Sequence, residues 1–333
     1  MTSPVQVADL GAGVVRVTHP LPWALDHVHC YALESPEGWT LVDCGLDTPG
    51  TLERWSAALA KLGGPVARIV VTHYHPDHLG AAAALSELTR VPELIQGELD
   101  ARLAEAAWGE NSDLHAFETY LRDHGMPAEL AGASASAERR SLVRPAAPTR
   151  LVVEGDLVEA AGEVFEVLLL PGHADGHIVL LGRETGRMIG GDVLLAEITP
   201  NVGRWEDTAP DPLGRYLETL GRIASLAPTR VYPGHGPVID ESARRAAEIR
   251  THHDDRLDAT CVALRDGAET TYEVARAIWP GSLSLHEERF ALVEAISHLE
   301  RVCALGRAVE TGRGRWTLAD GRATDRSTAR TRR

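Results

Sequence analysis

The chain has 333 residues, 44% hydrophobic and 24% charged, with a formal net charge of −15. That length accommodates one large domain plus a smaller one. No apolar run is long enough to span a bilayer as a helix, and the negative field counts against a phosphate backbone as substrate.

Residues 1–13 lack the basic start and apolar core of a signal peptide, and Cys30, Cys44, Cys261 and Cys303 are scattered with no metal-binding spacing. Both features predict a cytoplasmic protein with reduced thiols. Lys61 is the sole lysine and sits beside the Gly63-Gly64-Pro65 turn, which argues against Schiff-base chemistry. Taken in order, residues 14–18, 30–33 and 39–42 read as strands, the last two joined through Ser35-Pro36-Glu37-Gly38. The third ends at Asp43-Cys44-Gly45, where an aspartate stabilises a turn. Asp47-Thr48-Pro49 opens a helix with Leu52, Trp55 and Leu59 on its apolar face.

Ile69-Val70-Val71 then reads as a buried strand and runs into Thr72-His73-Tyr74-His75-Pro76-Asp77-His78. An alanine-rich helix over 81–88 follows, so the cluster lies on a strand-to-helix loop, where a rigid scaffold presents chemistry. His73 and His75 are two apart and project to one side of an extended chain. Asp77 and His78 follow a turn forced by Pro76 and can serve a second ion. Imidazole and carboxylate are ligands that Zn, Fe and Mn accept.

Residues 98–146 read as a helical insertion. Helical spacing covers 99–108 and 114–121, the second capped by Ser112 or Asp113 and stopped by Gly125 and Pro127, and a short third helix starts at Ala128. Residues 132–147 read as loosely ordered. Trp108, Phe117 and Tyr120 stand out in a chain that is 5% aromatic. They either form the core of the insert or wall a substrate pocket. Strand pattern returns at 151–153, 164–170, 178–181 and 188–189. Three loops repeat the placement of the first, each just past an apolar run: Pro171-Gly172-His173, Gly190-Gly191-Asp192 and Pro233-Gly234-His235-Gly236. Their glycines let the backbone turn sharply beside an ion. His177 holds its loop or hydrogen-bonds within the site.

Asp211-Pro212 opens a helix with Leu213, Tyr216, Leu217, Leu220 and Ile223 on one buried face. Another helix runs from Asp240 through Arg256. Its His252-His253 pair is a poor chelate, since neighbours on a helix point about 100° apart, and reads as surface or interdomain. Helices over 268–279 and 285–305 precede a hairpin at 308–311 and 315–318. The second of these helices is expected to display Glu287, Glu288, Glu294 and Glu300 against Arg289 and Arg301, a poor surface for phosphate. The arginine-rich residues 319–333 read as a disordered tail.

His73-x-His75-x-Asp77-His78 after a strand, followed in order by His173, Asp192 and His235, resembles the signature of the metallo-β-lactamase superfamily. The resemblance implies an α/β fold: a four-layer αββα sandwich over 1–250 in which the 98–146 insertion acts as a lid. It also implies two divalent metal ions, Zn first with Fe or Mn admitted. His73, His75 and His173 would bind one ion, Asp77, His78 and His235 the other, and Asp192 would bridge. Asp43 would support the loop from behind, and Asp77 could also take a proton. Helix, helix, hairpin over 251–318 resembles the winged-helix domain of some relatives, including a mitochondrial endoribonuclease. Its charge favours a packing or homodimerisation module over a DNA reader.

No cysteine takes a ligand place, unlike the true zinc β-lactamases. The set looks like that of glyoxalase II, acyl-homoserine lactonases and RNase Z. Such an enzyme attacks a carbonyl or phosphoryl centre with a hydroxide held between the ions. The substrate expected here is a small ester, thioester or lactone. Cleavage of single-stranded RNA and iron-dependent sulfur dioxygenation are the alternatives.

Overall fold

The computed structural model describes residues 6–109, 113–137 and 142–319. Ser112 and the arginine-rich tail beyond Ala319 lie outside the described residues. The chain divides into two compact units, the first comprising Met1–Ser112, Arg139–Pro200 and Arg215–Ile249.

Among the described residues, the first unit holds a seven-stranded sheet in chain order: β1 (Gln6–Asp9), β2 (Val14–Pro20), β3 (His27–Ser35), β4 (Gly38–Val42), β5 (Val66–Val71), β6 (Glu93–Gly97) and β7 (Arg150–Val152). β1 to β4 pair antiparallel, as short turns allow. β4 to β7 pair parallel, the chain returning first through α1 (Pro49–Leu62), then through α2 (Pro76–Leu79) and α3 (Ala82–Thr89). α4 (Glu98–Trp108) follows β6. Neither β1 nor β6 has the alternation that would announce a strand. β1 is a four-residue edge, and β6 buries Gln96 among its apolar residues.

A second sheet has the order β12-β11-β10-β9-β8, made of β8 (Leu157–Ala160), β9 (Glu163–Leu169), β10 (Ile178–Gly182), β11 (Arg187–Gly191) and β12 (Arg230–Pro233). Alternate residues of the first sheet serve two cores, as the strand period of two requires. Cys30, Ala32, Leu41, Ile69, Val71 and Leu94 meet Trp55, Leu79 and Leu85 of the helices. Tyr31, Leu33, Val42, Val70 and Ile95 meet Phe165, Val167, Ile178 and Leu180 of the second sheet. Burial on both faces explains the uninterrupted Ile69-Val70-Val71 run. Full burial of one such side chain, Phe165 for example, stabilises the fold by about 2–3 kcal/mol. α7 (Pro212–Leu226) packs on the second sheet's loops, with Thr219 Oγ1 donating to the Pro171 carbonyl (2.7 Å) and Tyr216 Oη to that of Val193 (3.1 Å). The layers are therefore helix, sheet, sheet, helix.

The second unit comprises Asp113–Glu138, Asn201–Gly214 and Arg250–Arg333. It contains α5 (Leu114–Asp123), α6 (Ala128–Ser136), the later part of α8 (Ser242–Arg265), α9 (Thr271–Ile278), α10 (Leu285–Ala304) and the hairpin β13 (Ala308–Gly312)–β14 (Arg315–Leu318). Capping boxes at Thr270/Glu273 and Ser284/Glu287 start α9 and α10. Asp113 caps α5 by accepting the His115 and Ala116 N–H groups. Tyr120, Leu121, Met126 and Ala131 pack against Leu292, Val293 and Ile296 of α10. The order expected to fade from 132 in fact continues as helix to Ser136.

Two acidic residues expected on an exposed face of α10 turn to internal partners instead. Asn201 Nδ2 donates to Glu294 Oε2 (2.8 Å), and Arg204 Nε to Glu300 Oε1 (3.2 Å). His253, read as a surface or interdomain residue, is fully buried and so does not lie at the surface.

Candidate metal centre

β4 and β5 run parallel, as do β11 and β12, and β9 shares the direction of β11 because both pair antiparallel with β10. The loops after β4, β5, β9, β11 and β12 carry Asp43, the His73–His78 segment, His173, Asp192 and His235. Hydrogen bonds tie the two sheets here: His29 N–H to the Gly234 carbonyl (2.7 Å) and Ile178 N–H to that of Thr72 (2.9 Å). Asp77 and His78 lie on α2, a single helical turn with Pro76 in its first position, where a plain loop was expected.

Three ring nitrogens converge first. His73 Nε2 lies 3.0 Å from His75 Nδ1, His75 Nδ1 lies 2.8 Å from His173 Nε2, and His173 Nε2 lies 3.2 Å from His73 Nε2. Three ring nitrogens in so tight a triangle suit a shared positive centre. A tetrahedral ion bound at 2.0–2.1 Å would space its ligands by about 3.3 Å, close to what is seen. Asp77, His78 and His235 form a second group whose ligand atoms lie within 4.8 Å of one another. Asp192 touches both groups. Its Oδ2 is 3.7 Å from His173 Nε2 and 3.1 Å from His235 Nε2, and its Oδ1 is 3.4 Å from His78 Nε2.

The nitrogens facing away from the centre have partners that set each ring. His78 Nδ1 donates to Asp43 Oδ2 (2.8 Å), and His235 Nδ1 to the His27 carbonyl (2.6 Å). His73 Nδ1 is 3.0 Å from Thr72 Oγ1. Each leaves Nε2 for the centre, the usual arrangement behind a metal-binding imidazole. Asp43 also accepts the Thr72 N–H at 2.8 Å. It reaches these partners from a left-handed backbone, φ 65°, which costs a non-glycine residue about 1–2 kcal/mol. His177 does not join the ligand groups. Its ring stacks on His73 at 4.6 Å and its Nε2 accepts the Asp192 N–H at 3.1 Å, so it orients Asp192.

Charge fits a cation as well as geometry does. Burial and neighbouring imidazoles hold His73 and His75 well below the ordinary histidine range, so both rings are neutral donors. Burial pushes His235 down too, but Asp192 and Asp77 overcome it and carry the ring up to about 10. His78 is raised for the same reason, against burial, by Asp192, Asp43 and Asp77. Burial would raise Asp77, yet His78 and His235 bring it down to about 2. Protons on two imidazoles thus balance two carboxylates where a divalent ion would do so more directly. Two glycines clear the space. A Cβ at Gly191 would sit 2.7 Å from Thr72 Oγ1, and one at Gly234 would press on Asp192 Oδ1 and His78.

Three aromatic residues were candidates for a pocket wall. Trp108 reaches the metal loop, its indole N–H donating to the Tyr74 carbonyl at 2.8 Å. Phe117 and Tyr120 pack in the second unit's core. Asp100, which sequence reasoning passed over, is fully buried and accepts the Tyr74 N–H (3.0 Å) and Gln96 Nε2–H (2.7 Å). Burial pushes its carboxyl up to about 8. In the sequence it looks like any acidic residue in a first helical turn.

A family model described as "Metallo-beta-lactamase superfamily" matches residues 23–235. A "Probable metallo-hydrolase YqjP" from Bacillus subtilis is 28% identical over 86% of this chain and 91% of its own length. A metallo-beta-lactamase family protein, TTHA1429 of Thermus thermophilus, superposes with a TM-score of 0.82 at 31% identity, over 93% of this chain and 100% of its own. A beta-lactamase domain protein from Burkholderia ambifaria gives 0.81 at 30% identity, over 94% and 93%. Sequence, fold and ligand groups agree, and the chain belongs to the metallo-beta-lactamase superfamily.

Proposed function

We propose that the protein is a hydrolase that uses two divalent ions, Zn2+ first, to cleave a small ester, thioester or lactone. The observation that carries this reading is Asp192, one carboxylate within 4 Å of ligand atoms from both groups. His73, His75 and His173 would hold one ion and Asp77, His78 and His235 the other, with Asp192 between them. When bound, the ions would acidify a water and polarise the substrate oxygen.

The chain's own residues prepare that chemistry. Asp43, Thr72 and the His27 carbonyl fix which nitrogen of His78, His73 and His235 faces inward. His177 sets the Asp192 backbone. Asp77 Oδ2 lies 3.3 Å from His235 Nε2 and would serve first as a ligand, a weak base for any proton it also takes. The net charge of −15 favours a small substrate over a polyanion. The winged-helix-like segment over 251–318 would serve packing or self-association.

A panel of thioesters, esters, lactones and single-stranded RNA, run on Zn-, Fe- and Mn-loaded full-length protein, tests the reading. Turnover of an acyl substrate that is lost in Asp192→Asn supports it. Metal-dependent RNA cleavage would replace it with an endonuclease, and oxygen uptake with a persulfide would replace it with a dioxygenase. Inertness of Asp192→Asn toward metal content and rate would remove its foundation.

A further inference from the structure

We infer that the second unit carries a separate metal site, formed by His253 of α8 with Glu294 and His298 of α10, that takes a first-row divalent ion such as Zn2+. One ligand atom from each of the three lies within 4.8 Å of the other two. Glu294 and His298 are four residues apart on one helix, so their side chains share a face, and the third ligand comes from a different helix.

The donor atoms are prepared as metal ligands usually are. His298 is fully buried, and its Nδ1 donates to the Glu294 carbonyl at 2.8 Å. That hydrogen bond fixes the tautomer and leaves Nε2 with a lone pair and no hydrogen-bond partner among the described residues. A buried polar nitrogen of this kind is costly unless something meets it. Glu294 is oriented in the same manner: Asn201 Nδ2 holds its Oε2 at 2.8 Å. His253 is fully buried and its ring lies 5.6 Å from that of His298.

Arg256 acts on Glu294 through its charge, but its close contacts are with other groups. Arg256, one turn along α8, lies 5.2 Å from the Trp279 ring centroid and reaches the Ile278 carbonyl. Two imidazoles and a carboxylate suit Zn2+, and a buried position suits an ion that links α8 to α10 rather than one that turns over substrate. No member of this trio belongs to the catalytic ligand groups, so the inference stands or falls apart from the proposed activity.

The test removes the catalytic centre from the count. Full-length protein carrying His75→Ala and His235→Ala, which takes one ligand from each catalytic group, is stripped and titrated with Zn2+ against a chromophoric chelator. We expect one equivalent to remain, and to be lost when His298→Ala is added. Glu294→Gln, which keeps the shape and an Asn201 contact, should weaken it at least tenfold. Co2+ in place of Zn2+ should give the visible absorption of a tetrahedral site, and chelation should lower Tm only while His298 is present. Absence of any bound equivalent in the doubly substituted background overturns the inference. So does an equivalent that survives both His298→Ala and Glu294→Gln unchanged. If His298→Ala fails to fold, Glu294→Gln decides alone.

Discussion

The first unit places buried charge at its sheet edge, and the second is held chiefly by buried hydrocarbon. Around Asp192, three carboxylates and five histidines are almost wholly removed from water within a few loops. In the second unit, Tyr120, Leu121 and Met126 meet Leu292, Val293 and Ile296 with few ionisable groups among them. Buried ionisable groups cost stability unless each has a partner. A fold keeps such a cluster for chemistry, whereas an apolar cluster repays its own burial. The difference teaches where a substitution should act: at the sheet edge on metal and rate, in the apolar cluster around Tyr120 and Leu292 on folding.

The largest expected effect lies at the edge. A bound ion supplies several kcal/mol of transition-state stabilisation, so His235→Ala should lower kcat on the confirmed substrate roughly a thousandfold or more. Metal content should fall with it, by elemental analysis, while the melt changes little. A variant with full metal and rate would break the contrast at its strongest point.

Next comes Asp43→Asn. Asp43 accepts from His78 Nδ1 and twice from Thr72, so the change disturbs the orientation of one imidazole and the loop beneath it. Partners of this kind typically cost about tenfold to a hundredfold in metal affinity when altered. Competition titration with a chelating indicator measures it. An unchanged affinity would mean that Asp43 serves the turn and not the ligand.

The same contrast explains what could be read without a structure. Metal chemistry admits few residue types, so the His73–His78 segment, His173, Asp192 and His235 stand out by type and order. Strands buried on both faces announce themselves as Ile69-Val70-Val71 does. Asp100 and Thr72 do not, because a buried hydrogen bond leaves no pattern in neighbouring residues. Pairing of helices is equally silent. Periodicity gives α5 and α6 an apolar face, but nothing in it says that the partner is α10, some 160 residues later. His253 shows the limit most clearly. Beside His252 it makes a poor chelate, and only folding brings it to Glu294 and His298.

In the helical unit, Phe117→Ala should act on the melt. Phe117 is partly buried among Trp205, Tyr120 and the α10 residues, with its ring 6.2 Å from that of Trp205. Loss of a partly buried ring should cost about 2 kcal/mol, less than the 3–5 of a full cavity. Metal content should stay as in the parent. A raised KM with an unchanged melt would make Phe117 a pocket wall and blur the division between the units.

The smallest effect sharpens the division most. Tyr120 is 5% exposed, and its Oη donates to the Arg204 carbonyl at 2.6 Å. Arg204 in turn gives its backbone N–H to the Val293 carbonyl and its Nε to Glu300. The phenol therefore pins the 201–214 segment to α5, while α10 holds the same segment through Val293 and Glu300. Burial keeps the hydroxyl well above its usual ionisation range, so it remains a neutral donor across the working pH. Tyr120→Phe deletes that one donor and leaves the ring packing intact. The expected loss is about 1 kcal/mol, with as much again if the Arg204 carbonyl stays dry. Chemical denaturation should detect it as a shift of midpoint at constant slope. Because the hydroxyl makes this one link among the described residues, kcat and KM should match the parent. A Tyr120→Phe protein with parental stability but altered KM would show that the hydroxyl meets substrate, and the apolar unit would then share in the chemistry.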